Sequence, residues 1–372
     1  MDLEQLRNGI DITDKQILRL FEERMELCRQ VAQYKKEHGI QIFQKGREDE
    51  VIAKVRDNTS DENLKDGTTA LFTTIIDISK HLQQREFLNT ADNTEYPIAD
   101  LSKAEKIGCQ GSSGANSALA AEVLFSEKEL IFCDTFEDVF EAVENGSIDY
   151  GIIPIYNSTA GSVTQAYDLM SKYNFYIVKS VCLEINHCLA AKPERKPGVI
   201  TAVYSHPHAL SQCSDFLATM NMNPVSFGNT ATAAEAVAAS SEPIAAICSE
   251  ECANRLGLKI LARGIANAYP NYTQFICISK KIEVLPNADT ISVVLKLPNT
   301  AGSLYRLLTK FFVSGMNLEK LESRPVGNGS FEVMFYLDFK ADIRNESVRS
   351  LLADLEQSLE FFKFLGAHSC ND

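Results

Sequence analysis

The first forty residues limit the fold most sharply. Leu3, Leu6, Ile10, Ile17, Leu20, Phe21, Leu27, Cys28, Val31 and Tyr34 recur at helical spacing, no proline interrupts them, and Gly39 stands where a helix would stop. The pattern predicts a single helix of about 35 residues. A helix of that length is too long for one layer of a compact domain, so it also predicts packing against a partner chain. Residues 47–58 and 68–87 read as two more helices, the second with Leu71, Phe72, Ile75, Ile76, Ile78 and Leu82 apolar.

The placement of cations on this segment is informative. It holds 14 of the 36 lysines and arginines against 17 acids, near balance inside a chain of formal net charge −14. The overall charge argues against nucleic acid or an anionic membrane as the main partner, while a local cationic pocket can still take a small anion. Arg24 and Lys35 lie eleven residues apart. That is about three turns, or ~16 Å, so they share a face and can converge on one dianion. Arg7 is ~25 Å before Arg24 along the axis. It is either a solvated charge or a contribution to a neighbouring subunit's site. Ser79 and Gln83, four apart, face the same way on the third helix.

Leu3, Leu6 and Arg7, Ile10 with Asp11 and Asp14, Leu20, Arg24, Val31, Lys35, Arg47 with Glu48, Ser79 and Gln83 closely resemble the all-helical chorismate mutases over about 85 residues. The resemblance implies an intertwined dimer in which Arg7 comes from the partner. It implies that Arg7 and Arg24 hold the substrate carboxylates and that Lys35 and Gln83 face the ether oxygen. Glu48 would meet the ring hydroxyl, and Ser79 and Arg47 would complete the carboxylate site. A position often acidic in relatives is Gln44 here. The chemistry suits the residue types: chorismate rearranges to prephenate without nucleophile, metal or proton shuttle, and fixed donors stabilise the charge developing on the ether oxygen.

Residues 88–103 are polar and aperiodic and read as a linker. Beyond it, short apolar runs alternate with Ala-rich helical stretches, which implies α/β layering with ligand at strand ends. Lys106 to Ser117 reads as a strand running through Gly111 and Gly114 into a helix. The apolar run from Tyr150 to Ile155 ends in Asn157, Ser158, Thr159 and Gly161, a loop of potential anion donors. Residues 175–190 and 197–203 each read as one strand. Residues 224–227, 244–248 and 274–278 read as further strands and 232–239 as a helix.

Gln110-Gly111 with Gly114 and Ser117, Pro154-Ile155 with Asn157-Ser158 and Gly161, Ser205-His206-Pro207 with Gln212-Cys213, Thr230-Ala231, and Asn271-Tyr272-Thr273 with Phe275 resemble prephenate dehydratase over about 180 residues. The resemblance implies a two-lobed fold similar to periplasmic binding proteins. Thr273 would be the catalytic donor to the leaving hydroxyl, and Gly111, Ser117, Asn157, Ser158, Ser205, His206, Thr230 and Asn271 would line the prephenate site. The chain departs from the family pattern where Tyr156 replaces a glutamate, Gln274 an arginine and Asn267 an aspartate, and in the first loop, where Ser112-Ser113 and Ala115-Asn116 stand in place of an acidic residue and an aromatic. Gln274 cannot supply a charged fork, and Arg255 or Arg263 are the candidates to compensate.

Residues 288–372 follow the order βαββαβ of a ferredoxin-like module. Gly302 to Arg306 and Asn317 to Pro325 resemble the ACT domain of the same bifunctional enzymes. That implies a phenylalanine site between paired ACT domains, lined by Gly302, Leu304, Glu322, Ser323, Arg324 and Pro325.

The expectation is therefore three domains, 1–88, 104–283 and 288–372, in a homodimer or a tetramer built from it. The chain would make prephenate from chorismate, then phenylpyruvate with loss of water and CO2, under feedback by L-phenylalanine. The alternatives are an active mutase whose middle domain is a non-catalytic ligand sensor, or one that performs altered prephenate chemistry. The ten cysteines include no C-x-x-C pair and the six histidines no metal-ligand spacing, so no metal or cofactor is expected. With no apolar run long enough to span a bilayer and no signal segment, the reading places the chain in a reducing cytoplasm.

Overall fold

The computed structural model describes residues 2–40, 45–88, 96–220, 222–325 and 332–371, and so not Gln44 or the first part of the expected linker. The chain divides into two compact units, one of residues 1–95 with 289–364, the other of 96–288 with 365–372. The helical N-terminus and the C-terminal module thus share one unit.

In the first unit, α1 (Leu3–Glu37) is a single helix. Asp2 accepts from the Gln5 backbone N–H at 2.8 Å while the Gln5 side chain returns to the Asp2 N–H, a capping box. Gly39 follows the helix at φ 65°, a conformation that favours glycine. Only Met25 and Ala32 of α1 are buried, while Leu3, Ile10, Ile17, Leu20 and Leu27 remain exposed. Helices α2 (Lys45–Asn58) and α1 pack on α3 (Lys65–Leu88).

The second unit begins within the expected linker. From Tyr96 onward that stretch is structured: Ile98 bridges to Val284, and Ala99 and Ala104 enter the apolar core. The chain continues through β1 (Lys106–Gln110), α4 (Asn116–Leu124), β2 (Glu129–Cys133), α5 (Phe136–Asn145), β3 (Tyr150–Asn157), β4 (Gly161–Ser162), α6 (Thr164–Lys172) and β5 (Tyr176–Glu184). It then crosses to a second lobe of β6 (Cys188–Ala191), β7 (Ala202–Ser205), α7 (Pro207–Gln212), α8 (Ser214–Met220), β8 (Asn223–Ser226), α9 (Thr230–Ala239), β9 (Ile244–Cys248), α10 (Glu250–Arg255) and β10 (Lys259–Arg263). It returns by β11 (Tyr272–Ser279).

Two strand expectations need correction. The apolar run 175–190 is two strands in different sheets, because polar Asn186 and His187 break it where the chain changes lobe. The run 197–203 opens as a 3-10 turn at Pro197–Val199, since proline has no N–H to give a ladder, and the strand starts only at Ala202.

In the first lobe β1 pairs in parallel with β2 and β3, while β11 runs antiparallel between β3 and β5. In the second, β7 pairs in parallel with β8 and β9, and β6 runs antiparallel between β9 and β10. Six of the ten cysteines are buried in these cores, and burial pushes the Cys109 and Cys213 thiols up to about 12, so they act as small hydrophobes.

The C-terminal segment follows the order β12 (Thr290–Lys296), α11 (Ser303–Val313), β13 (Asn317–Pro325), β14 (Val333–Lys340), α12 (Glu346–Ser358), β15 (Phe361–Asn371). β14 lies antiparallel between β12 and β13. α11 and α12 both pack on α3, which joins this module to the N-terminal helices. From Leu365 β15 belongs to the second unit, where Ser369 to Asn371 pair in parallel with β5.

Candidate functional sites

The helical cluster brings most of its expected residues together within one chain. Arg24 on α1 donates to Ser79 Oγ on α3 at 2.5 Å, and Ser79 in turn donates to the Ile75 carbonyl. Gln83, one turn along α3, is buried, and its Oε1 has no hydrogen-bond partner among the described residues. A buried polar atom of this kind calls for a partner, which a water or a ligand group can supply. Partial burial holds the Lys35 ammonium below the usual lysine range, with Glu48 opposing the shift from nearby. Glu48 on α2 is paired with Lys80 Nζ at 3.0 Å.

Two expected residues stand apart. Arg47 is exposed and pairs with Glu50 at 3.0 Å. Arg7 lies on the exposed N-terminal part of α1, too far along the axis to reach Arg24's ligand. Lys80 and Asp77, which surround Glu48 with charge, were not legible from spacing, since a lysine and an aspartate on a helix read as solvated.

In the second unit the expected residues gather at the carboxyl ends of the parallel strands β1, β3 and β7, the usual ligand position of such sheets. The centre is Asn157, at the end of β3. Its Oδ1 accepts the backbone N–H groups of Thr159 at 3.1 Å and Ala160 at 2.8 Å. That fixes which end of the amide is the NH2. The NH2, with two hydrogens, faces three acceptors: Asn271 Oδ1 at 2.7 Å, Thr273 Oγ1 at 2.8 Å and, shared and longer, the Tyr272 carbonyl at 3.1 Å. A hydroxyl has one hydrogen and two lone pairs. With a lone pair of Thr273 occupied by Asn157, its hydrogen remains to be donated.

This group is braced from the second lobe. Gln212 at the end of α7 donates to Thr159 Oγ1 at 2.7 Å, and buried His187 meets Gln212 Oε1 at 3.0 Å. Burial pushes the His187 imidazole down, the Gln212 bond opposing, so the neutral ring with a donor Nε2–H suits this contact. Thr159 was legible as part of the donor loop after β3, His187 had no sequence signal beyond being polar, and Gln212 carried only a family landmark.

Other expected residues serve the frame. Ser205 is fully buried and donates to the Ile247 carbonyl at 2.7 Å, tying β7 to β9. Ser158 exchanges two hydrogen bonds with the Tyr272 backbone. His206 caps α7 by accepting from the His208 N–H, and burial with the neighbouring His208 pushes its imidazole down. Thr230 opens α9 behind Asn229, which caps it at 2.7 Å. Gly111 has φ 109° and a Cβ there would meet Ala115 at 3.1 Å, so side chains are excluded from this turn. Ser117 is buried on the first turn of α4.

The departures from the family pattern at Tyr156, Gln274 and Asn267 acquire structural meaning. Tyr156 and Gln274 are register partners on β3 and β11, the pair next to Asn157 and Thr273. Successive residues of a strand point to opposite faces. Tyr156 and Gln274 therefore stand together on the face turned away from Thr273. A glutamate and an arginine at these two positions would face each other across the strands, and both are replaced here by neutral groups. Asn267 donates to Ser214 Oγ at 2.8 Å and accepts the Asp215 N–H, and its own N–H donates to the Gln212 carbonyl. An aspartate could not make the donation to Ser214. The proposed substitutes for the arginine are engaged elsewhere: Arg255 with Glu122 and Ser113, Arg263 bidentate with Glu250.

In the C-terminal module Gly302 precedes α11 at φ 84°, which favours glycine there, and Leu304 is exposed on its first turn. Glu322 and Arg324 share one face of β13 and pair at 3.4 Å, with Ser323 and Pro325 exposed on the other. Among the described residues no group of three His, Cys, Asp or Glu could hold a metal ion, and no helix is long and apolar enough to cross a membrane.

Comparison with known proteins finds a family match for each of the two segments. A family model for prephenate dehydratase matches residues 107–283, and one for chorismate mutase type II matches residues 6–84. The bifunctional chorismate mutase/prephenate dehydratase of Enterobacter agglomerans is 32% identical over 372 residues, covering 98% of this chain and 95% of that one. The chloroplastic arogenate dehydratase/prephenate dehydratase 1 of Arabidopsis thaliana is 35% identical over 297 residues, 75% of each chain. The solved prephenate dehydratase of Arthrobacter aurescens in complex with L-Phe has a TM-score of 0.65 at 27% identity, covering 71% of this chain and 89% of that one.

Proposed function

We propose, for a chain that belongs to the bifunctional chorismate mutase/prephenate dehydratase family and carries both activities in phenylalanine biosynthesis, a division of labour between the two sites. Residues 1–88 form the mutase. Arg24 and Ser79 bind a chorismate carboxylate, Lys35 and Gln83 donate to the ether oxygen, and Glu48 accepts from the ring hydroxyl. The rearrangement needs only a held conformer and donors placed where charge develops, which fits a partly buried lysine on α1 and the NH2 of a buried amide on α3.

Residues 104–283 form the dehydratase, in two lobes like a periplasmic binding protein. Thr273 donates its hydrogen to the leaving hydroxyl of prephenate as CO2 departs and the ring becomes aromatic. Asn157 holds its oxygen, and Asn271, Thr159 and Gln212 hold Asn157 in turn. The observation that carries this reading is the Asn157–Thr273 hydrogen bond, which leaves the threonine hydrogen uncommitted. The placement of Tyr156 and Gln274 on the opposite face favours an active site over a sensor or altered chemistry. Thr273→Ser is expected to retain prephenate turnover and Thr273→Val to lose at least ~100-fold in kcat. Equal activity of the two variants would sink the role.

The exposed apolar side of α1 supports a dimer in which the partner covers it and Arg7 enters the partner's site. Co-expressed Arg7→Ala and Lys35→Ala chains should then recover mutase activity as heterodimers, and verified heterodimers without recovery would contradict the shared site. Residues 288–372 act as the ACT module, a ferredoxin-like fold. Gly302, Leu304 and the Glu322-Ser323-Arg324-Pro325 strand bind L-phenylalanine as the feedback effector, between paired modules of a dimer or of a tetramer built from it. The relative solved with L-Phe supports this reading.

A further inference from the structure

Glu48 has a third cation beside it, and that cation comes from the C-terminal module. Arg306 on α11 reaches α3 with its guanidinium fork, Nε to Asp77 Oδ2 at 3.4 Å and Nη2 to Asp77 Oδ1 at 3.2 Å. The same Nη2 lies 3.5 Å from Glu48 Oε2. Lys80 Nζ stands between the two carboxylates, 3.0 Å from Glu48 and 3.5 Å from Asp77. Asp77 and Lys80 are buried and Glu48 is largely so, which screens these charges from solvent and strengthens their hold. One residue earlier, Tyr305 OH meets Thr74 Oγ1 at 3.1 Å, so α11 is seated on α3 where Arg306 reaches across.

Glu48 sits in the first turn of α2, and a glutamate carboxylate turns about three side-chain torsions. Among the described residues, the ion-pair partners recorded for Glu48 are Lys80 and Arg306. They converge on the same oxygen, Oε2, which leaves Oε1 to meet a ligand. We infer that Arg306 is a positioning residue of the mutase: held by Asp77, it fixes the Glu48 carboxylate from the regulatory helix. The inference rests on the reading of Glu48 as the ring-hydroxyl acceptor. Arg306 lies four residues beyond Gly302, about one turn, so a mutase-positioning group stands on the helix that opens with the expected effector motif.

The test measures mutase kinetics on the full-length chain, with dehydratase kinetics on the same preparations. An acceptor that grips the ring hydroxyl in substrate and transition state alike contributes uniform binding, so its loss raises KM and leaves kcat. Arg306→Met is expected to raise the KM for chorismate about tenfold with kcat little changed. Arg306→Lys, which keeps the charge, should recover most of that loss. Glu48→Gln should raise KM by itself, and Arg306→Met added to it should change nothing further, because the arginine acts through the glutamate. Dehydratase constants should stay at wild-type values throughout. An unchanged KM in Arg306→Met, a fall in kcat at constant KM, or a full additional effect in the Glu48→Gln background would each overturn the inference. Should Glu48→Gln itself leave the mutase unaltered, the reading of Glu48 fails and the inference with it. If Glu48→Gln is impaired and Arg306→Met is silent, only the inference fails.

Discussion

Asn157→Asp replaces one NH2 by one oxygen and tests the dehydratase site with little change of shape. The Oδ1 side keeps its bonds from the Thr159 and Ala160 N–H groups. The other side loses two donor hydrogens, shared among Asn271, Tyr272 and Thr273. The new oxygen faces the Tyr272 carbonyl, which can only accept, and the Thr273 hydroxyl, which can reverse and donate to it. The reversal takes the hydrogen intended for the leaving group. General-acid contributions of this kind are about 10²–10⁴ in rate, so kcat for prephenate should fall by that factor. An uncompensated buried acceptor costs about 1–3 kcal/mol, which for a unit of this size lowers Tm by about 2–12 °C. The assay is phenylpyruvate formation, with mutase activity of the same protein expected to be unchanged. Dehydratase kcat within threefold of wild type would refute the assigned hydrogen-bond direction.

Three further outcomes follow from the same geometry. Tyr156→Glu with Gln274→Arg should give a dehydratase within threefold of wild type, with a favourable coupling of about 0.2–1 kcal/mol in a stability cycle; a tenfold change in kcat would place these residues on the catalytic face after all. Ser205→Ala should lower stability by about 1 kcal/mol through the lost bond to Ile247 and leave the KM for prephenate unaltered, whereas a raised KM would make Ser205 a substrate contact. His187 is held below its ordinary 6.5, so the unfolded chain takes up a proton first as pH falls. It contributes stability that is present above pH ~6.5 and lost below it, at up to about 1.4 kcal/mol per pH unit. His187→Asn should flatten the dependence of denaturant stability on pH below 6.5, and an unchanged slope would contradict a neutral buried ring.

Much of this was legible in the chain because periodicity and turn chemistry are local. The 35-residue α1, the β9 strand and the βαββαβ order of the C-terminal module follow from spacing alone. The strand run 175–190 was misread because two buried strands in different sheets are both apolar, and only Asn186 and His187 mark the crossing. Motifs named Asn157, Asn271 and Thr273, which the structure brings together, but they also named Arg47, Ser205 and Thr230, which stand apart or serve the frame. His187, Lys80 and Asp77 were not legible, because their partners Gln212, Glu48 and Arg306 lie tens or hundreds of residues away and composition cannot pair them. The doubt raised by Tyr156 and Gln274 has the same origin. In sequence they are two separate losses, and only the β3–β11 register makes them one exchange on the far face.

The account turns on whether one chain completes both reactions with this threonine network. Purified wild-type protein given chorismate alone, followed by proton NMR, tests it directly. The predicted course is a transient of prephenate followed by phenylpyruvate with release of CO2. Prephenate accumulating without phenylpyruvate at neutral pH would contradict it.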